Sequence, residues 1–381
     1  MGKIASGVWS YLKRVDKWLW LCCLAVSCTS VILIYGILQT DYVHLLRLSG
    51  RSLVIQAGAI ALGIVGALII SIIDYQTLDR LWVIHVPIAY ILTILTFFIG
   101  VGASGRPDDK RWLIIPIVDV WLQPSEILKI SFILFFAYHI SKVKDSVNNP
   151  LMLLSLLVHA AVPVLLVHFQ GDDGTALLIL FIAVTMLFMA GISWKYIVPA
   201  CVALVAVIPI IWNFVLDDFQ KGRILILFQA EPDKLGDYYQ QYQSKVTIAL
   251  GKVFGIGLIS DQHQYVPEIH NDFIFAFLCE SFGFVGAVAL LAVMTFMCIR
   301  LLRNCLNATD TFGTQICAGI CGMIFFQFVI NVGMCLSLLP VIGNTFPFLS
   351  YGGSSMLSNY LGIGLALSVS MKQKKNLLFS G

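Results

Sequence analysis

The chain has 381 residues, of which 59% are hydrophobic and only 12% charged, with a formal net charge of +3 and a mean hydropathy of +0.89. Soluble domains carry roughly 25% charged residues, so a soluble globular enzyme is excluded and a polytopic membrane protein is indicated. No basic block suggests nucleic acid, and the ten cysteines sit almost entirely in apolar runs without a CxxC pair, as small apolar fillers.

A helix needs about 20 apolar residues to cross the hydrocarbon core. Ten segments qualify in chain order: 18–38, 52–73, 81–101, 122–141, 151–169, 174–190, 196–216, 273–299, 312–336 and 353–371. The fourth is the least apolar, because it contains Gln123, Pro124, Glu126 and Lys129. The first run continues into a polytopic chain, so no cleavable signal peptide is expected. The expected fold is therefore all-α and polytopic. It has about ten transmembrane helices, a long extracytoplasmic loop at 217–272 between helices 7 and 8, and a single transmembrane domain over residues 1–381.

Lysine and arginine set the orientation. With both termini in the cytoplasm, the inner segments hold 13 of the 24 cations and the short outer loops five: Arg47, Arg51, Arg106, Lys110 and Arg111. The long loop holds five more, and Lys129 falls within a span. The acids show the opposite bias. Only Asp16, Asp74, Asp79, Asp145 and Asp310 lie inside, against 16 of 21 outside or at outer helix ends. Acids set topology only weakly, so this asymmetry points to an outward-facing polar site. Within the long loop, ILILF (224–228) and VTIALGKVFGIGLI (246–259) are too short or too glycine-rich to span, and read as interfacial or re-entrant segments.

Four polar clusters fall on that face. In DDKRWL (108–113) and WLQPSEILK (121–129), Arg111 can bind phosphate or carboxylate through two parallel bonds, and Trp112 suits a membrane interface. Glu126 and Lys129 share one helix face, either as a buried ion pair or as part of a functional cavity; Pro124 fits the first helical turn. In QGDDGTA (170–176), Asp172 or Asp173 can cap the next helix. The pair is also a weak, two-residue signal for a divalent cation such as Mg or Mn, which does not by itself assign a cofactor. In VPEIHNDFIF (266–275), Asp272 holds an N-cap position, but an acid beside an apolar wall is also suited to act as a general base. His270 either titrates near neutral pH or merely faces water. In LPVIGNTFPFLSYGGSS (339–355), prolines and glycines break the helix. Such backbone is tolerated in a bilayer only where it is packed in protein or lines a cavity. Asn331, within the preceding helix, also needs a partner.

These clusters, in this order, resemble the SEDS family, the RodA, FtsW and SpoVE proteins, and among them look most like RodA. Arg111, Trp112, Gln123, Pro124, Ser125, Glu126 and Lys129 match its RW…QPSE…K element. Gln170, Asp172, Gly174, Thr175 and Ala176 match QPDLGTA. Pro267, Glu268, His270 and Asp272–Phe275 match PE-x-HTDFIF. Gly343, Pro347, Phe348 and Ser350–Ser355 match G-x-PFISYGGSS. Residues 223–245 are similar to a RodA stretch. The departures are Gly171 for Pro, Asn271 for Thr, and Ala249–Lys252 in place of GSGG, where Lys252 can add a phosphate contact.

The resemblance implies a peptidoglycan glycosyltransferase of the bacterial cytoplasmic membrane that serves cell elongation and shape. It would polymerise lipid II at the outer face, and its substrate and product are undecaprenyl-linked. The essential acid maps onto Asp272 as general base. Arg111, Lys129 and Arg223 fall to the departing pyrophosphate, and Glu126 and Asp172 to organising those cations. Trp112, His270 and Ser350 complete the substrate-binding set. The implied partner is a class B penicillin-binding protein, a transpeptidase. Two other readings stand beside this one: a lipid II flippase, and a non-catalytic scaffold for that partner.

Overall fold

The structure, a computed structural model, describes residues 11, 13–46, 48–102, 109–115, 120–214, 216, 218–225, 227 and 238–379. Arg47, Arg106 and Asp108, and positions 226 and 228–237 of the stretch similar to RodA, lie outside the described residues.

The fold is an all-α polytopic membrane architecture. A helix occupies each of the ten apolar segments: α1 (Lys17–Leu38), α2 (Gly50–Ile72), α3 (Trp82–Ile99), α4 (Pro124–Lys142), α5 (Pro150–His168), α6 (Asp173–Met189), α7 (Trp194–Phe214), α10 (Ile274–Leu306), α11 (Thr311–Cys335) and α12 (Gly353–Phe379). Seven of these are long and apolar enough to cross a membrane, and α6 is a shorter apolar helix. The long loop is partly helical, with α8 (Asp218–Leu225) and α9 (Tyr239–Leu250). A two-stranded antiparallel ribbon, β1 (Leu113–Ile115) and β2 (Val120–Leu122), pairs Leu113 with Leu122 just before α4. The ribbon has no counterpart in the reading of the sequence, because strands of three residues leave no periodic pattern.

Helix α11 is the most enclosed of the apolar helices. It packs against α10, α6, α4 and α12, while α12 runs along α2. Polar side chains tie this bundle across the helices. Lys129 Nζ reaches both oxygens of Glu126 at 2.9 Å, and Ser358 Oγ of α12 donates to Glu126 Oε2 at 2.5 Å. The buried-pair reading of Glu126 and Lys129 therefore holds. At the other end of the bundle Arg300 bonds Asp16, 2.8 Å from Nη2 to Oδ2, joining α10 to α1.

The segment 246–259 is not a uniform re-entrant stretch. Its first residues finish α9, and residues 252–257 then fold onto a break in α10. That break is Gly283, whose φ of +68° departs from the helix. The amides of Phe284 and Val285 donate to the carbonyls of Lys252 and Val253 at 2.9 and 3.1 Å. The amides of Ile256 and Gly257 donate to Glu280 and Ser281 at 2.9 and 3.1 Å. Backbone groups freed by the kink thus find partners in the loop, as an apolar surround demands. Lys252 is committed to this junction and does not line the cavity described below.

Three residues before Gly283 in the same helix, Glu280 is sealed from solvent beside His263, with Oε2 2.7 Å from Nδ1, and Gln264 N donates to Oε1 at 3.0 Å. The sequence reading passed over this pair, because its two members are 17 residues apart.

An added Cβ at Gly283 would lie 2.4 Å from Gly255 N, and its φ of 68° with ψ of −164° is a backbone region essentially confined to glycine, costing other residues about 1–3 kcal/mol. Gly283→Ala should therefore release the 252–257 loop, and trypsin should cleave after Lys252 faster than in the wild type. Equal cleavage rates would show that the junction does not depend on this glycine.

Candidate active site

The loop preceding α10 makes a tight turn around one carbonyl. Glu268 O accepts from the amides of Asn271, Asp272 and Phe273 at 3.0, 3.1 and 3.4 Å, and Glu268 itself has φ +56°. A left-handed, non-glycine residue of this kind marks a conformation held by its surroundings. The helix begins one residue later than an Asp272 cap would require. Phe273 takes the N-cap position and no side chain caps it. The capping expectation for Asp272 fails, and its carboxyl remains available to the cavity. Asn271, the departure from the family threonine, donates through Nδ2 to Glu268 Oε2 at 2.8 Å. It thereby closes the turn from the side-chain direction.

The broken segment after α11 is pinned just as tightly. Asn331 Nδ2 donates to Asp272 O at 2.9 Å and to Asn344 O at 2.7 Å. Asn344 Nδ2 donates back to Gln327 O at 2.9 Å. Ser350 Oγ donates to Asn271 O at 2.6 Å and accepts from Phe346 N at 2.7 Å. From α2, Gln56 donates to Ser350 O at 3.1 Å and accepts from Gly352 N at 3.2 Å. Gly343 turns the chain with φ +72°. A Cβ there would lie 3.9 Å from Asp272 Oδ2 and 4.0 Å from Arg111 Nη1. The glycine therefore sits between the acid and the guanidinium.

A cavity of about 710 Å³ opens here, walled by Arg111, Trp112, Arg223, Glu268, Asp272 and Gly343 among others. Arg111 Nη1 stands 3.6 Å from Asp172 Oδ1, and Nη2 stands 3.5 Å from Asp109 Oδ2. Asp172 is fully buried. It accepts from Gln123 Nε2 at 2.6 Å and from Ser125 Oγ at 3.3 Å, and it caps α6 through Thr175 N at 3.3 Å. Arg223 Nη1 donates to Val341 O. Two cations thus face the cavity, each oriented by the protein.

Burial pushes the Asp272 carboxyl up to about 7, and the negative Glu268 adds to the rise. Arg111 and Arg223 pull it down, and Asp172 adds a smaller upward push. Desolvation wins over the two guanidiniums, which leaves the acid poised near neutral pH.

The other residues expected at the site lie off the cavity wall. Glu126 and Lys129 are sealed against each other, so Lys129 is not available to a phosphate. Ser350 is a staple beneath the loop. His270 is buried, its ring 5.7 Å from that of Tyr351, with Nδ1 unpartnered. Burial lowers its pKa despite an opposing push from Glu268, which favours the neutral ring. Asp172 and Asp173 do not fit a cation cage. Asp172 is committed as described, while Asp173 meets His168 Nδ1 at 2.6 Å and Gln220 Nε2 at 2.5 Å. Among the described residues no three metal-type side chains converge.

Gln56 and Asn344 were not anticipated. Gln56 had a legible signal as a lone amide in an otherwise apolar helix, where an unpartnered polar group is expensive.

Comparison with known proteins places the chain in a family. Residues 16–375 match the model of the FtsW/RodA/SpoVE cell cycle protein family. The chain is 36% identical over 324 residues to the peptidoglycan glycosyltransferase MrdB of Escherichia coli K12, covering 83% of this chain and 85% of that one. Two solved structures share the fold. One is a chain of a peptidoglycan synthase complex that coordinates polymerization and crosslinking, with TM-score 0.77 and 24% identity over 94% of this chain and 98% of that one. The other is the rod shape determining protein RodA of Thermus thermophilus, with TM-score 0.68 and 21% identity over 94% and 97%. The chain belongs to the FtsW/RodA/SpoVE family.

Removing the buried Asp172 carboxylate takes the acceptor from Gln123 and leaves Arg111 with Asp109 alone. Asp172→Ala should destabilise the detergent-solubilised protein by about 3 kcal/mol, the scale for breaking a buried pair, and lower its thermal unfolding midpoint. An unchanged midpoint would refute the anchoring role.

Proposed function

We propose that this member of the family is a peptidoglycan glycosyltransferase that polymerises lipid II, with Asp272 as the general base. The observation that carries the reading is one cavity in which a carboxyl pushed up to about 7 faces two oriented guanidiniums. Glycosyl transfer from a lipid pyrophosphate needs both. One group must take the proton of the attacking hydroxyl, and fixed positive charge must receive the leaving phosphate.

In the reaction, Asp272 removes the proton of the acceptor 4-hydroxyl as that oxygen bonds to the anomeric carbon of the donor. The bond from the anomeric carbon to phosphate breaks, and undecaprenyl pyrophosphate leaves with the electron pair. Arg111 and Arg223 receive its charge, and Asp172 and Asp109 hold Arg111 in place. The proton on Asp272 is then lost to water in the cavity. Trp112 borders the cavity, and an aromatic ring of this kind suits a membrane interface. Lys129 and Glu126 act as a helix lock, and His270 and Ser350 as supports of the base-bearing loop.

The charge bias of the loops supports cytoplasmic termini and a site on the outer face. The likeness to a chain of a synthase complex that coordinates polymerization and crosslinking supports a crosslinking, transpeptidase partner; the family resemblance makes that partner a class B penicillin-binding protein and the role cell elongation.

The test is polymer synthesis from labelled lipid II by the purified protein with its partner. Asp272→Asn should lose at least about 10²-fold in rate, the usual worth of a general base. Polymer made equally by the variant would end the base assignment, and flipping without polymer in vesicles would favour transport. The base works deprotonated, so the rate should rise with pH through about 7. Glu268→Gln removes a charge that pushes the Asp272 pKa up, so it should move this limb to lower pH. A shift to higher pH would contradict the electrostatic account.

A further inference from the structure

Helix α11 presents two buried amides one turn apart toward the site, Gln327 and Asn331. Only Asn331 reaches two different irregular segments with its side chain. Its Nδ2 has two hydrogens. One goes to the carbonyl of Asp272 and the other to that of Asn344; the Cys335 thiol lies 3.8 Å from its Oδ1 and, as a weak second donor, 3.7 Å from the Asp272 carbonyl. Both carbonyls belong to backbone outside helices, so each needs a donor from elsewhere. The two segments carry the two halves of the chemistry. Asp272 bears the carboxyl, and the Asn344 segment begins at Gly343, which separates that carboxyl from Arg111.

We propose that Asn331 is a positioning residue whose single amide ties the base-bearing loop to the Gly343–Asn344 segment and so fixes the distance from Asp272 to the phosphate-binding guanidiniums. The proposal rests on the reading of Asp272 as base. It differs from ordinary helix packing because the amide is shared. A side chain with one donor can satisfy one segment only; Ser350 and Tyr351 still hold the loop at Asn271 and His270, and only the weak Cys335 thiol donor is then left at the Asp272 carbonyl. A displacement of about 1 Å between a base and its target can cost 10²-fold in rate. It leaves substrate contacts made elsewhere in the cavity in place.

Asn331→Asp is the sharpest variant, because it keeps the shape. Ionised, its carboxylate faces two carbonyl oxygens; protonated, it offers one O–H for two acceptors. The experiment measures kcat, KM for lipid II and the pH midpoint of polymer synthesis in the full chain with its partner. Asn331→Asp should lose about 10²-fold in kcat with KM unchanged, and should shift the pH midpoint because the surroundings of Asp272 change. Asn331→Ser, with one short donor, should fall between the wild type and Asn331→Ala. Gln327→Leu is the control, since the Gln327 side-chain oxygen has no hydrogen-bond partner and the variant keeps its backbone carbonyl. It should retain the wild-type pH midpoint.

Wild-type kcat and pH midpoint in folded Asn331→Asp would overturn the proposal. So would an equal loss in Gln327→Leu, which would reduce the effect to general disturbance of α11. If Asn331→Asp does not fold, Asn331→Ser decides by the same two quantities. Activity in Asp272→Asn would instead overturn the base assignment itself. Inactive Asp272→Asn with normal Asn331 variants would leave that assignment standing and remove only the positioning role.

Discussion

Backbone that leaves the helical path inside an apolar bundle must find donors and acceptors from other parts of the chain, and the rest of this structure depends on that constraint. The 266–273 loop and the 340–353 segment are both irregular, and side-chain amides and hydroxyls from distant helices hold them. Asn331 joins the two segments to each other, Gln56 fixes the Ser350–Gly352 turn, and Ser350 fastens that turn to Asn271. Each bond is modest alone. Leaving any of these buried groups unmade costs about 1–3 kcal/mol, so the network specifies one arrangement. The arrangement it specifies puts a carboxyl and two guanidiniums around one cavity.

The electrostatics follow from that placement. A carboxyl near two arginines would ordinarily be held low. Here burial and the charge of Glu268 outweigh them, so Asp272 sits near neutral pH while remaining within the field of both cations. The arginines do separate work. Arg111 is oriented by Asp172 and Asp109 and Arg223 by the carbonyl of Val341, so their charge is directed without holding Asp272 permanently ionised. Glu126 and Lys129, which the motif places beside them in sequence, form a closed pair that fastens α4 to α12 through Ser358.

Much of this was legible in the sequence. Runs of about 20 apolar residues located all ten helices to within a few residues, except where α10 and α12 continue past the apolar run. The motif residues Arg111, Asp172 and Asp272, with Arg223 of the long loop, come together around one cavity. What the sequence could not give is which polar neighbours face the cavity and which support it from behind. Lys129, His270 and Ser350 belong to the same motifs as residues on the wall, yet packing turns them inward. Asp272 reads locally as a helix cap, and only the turn around Glu268 O moves the helix start past it. The Asn271 departure becomes intelligible only with the Glu268 contact in view. Gln56 and Asn344 act across hundreds of residues, or at a break, where periodicity carries no information.

The central claim is that Asp272 is a protonatable base near neutral pH, and infrared titration tests it most directly. The difference between wild-type protein and Asp272→Asn isolates the carbonyl band of the protonated Asp272 carboxyl. The account predicts that this band disappears with a midpoint near pH 7. A carboxyl already fully ionised by about pH 5, as an ordinary aspartate is, would contradict it.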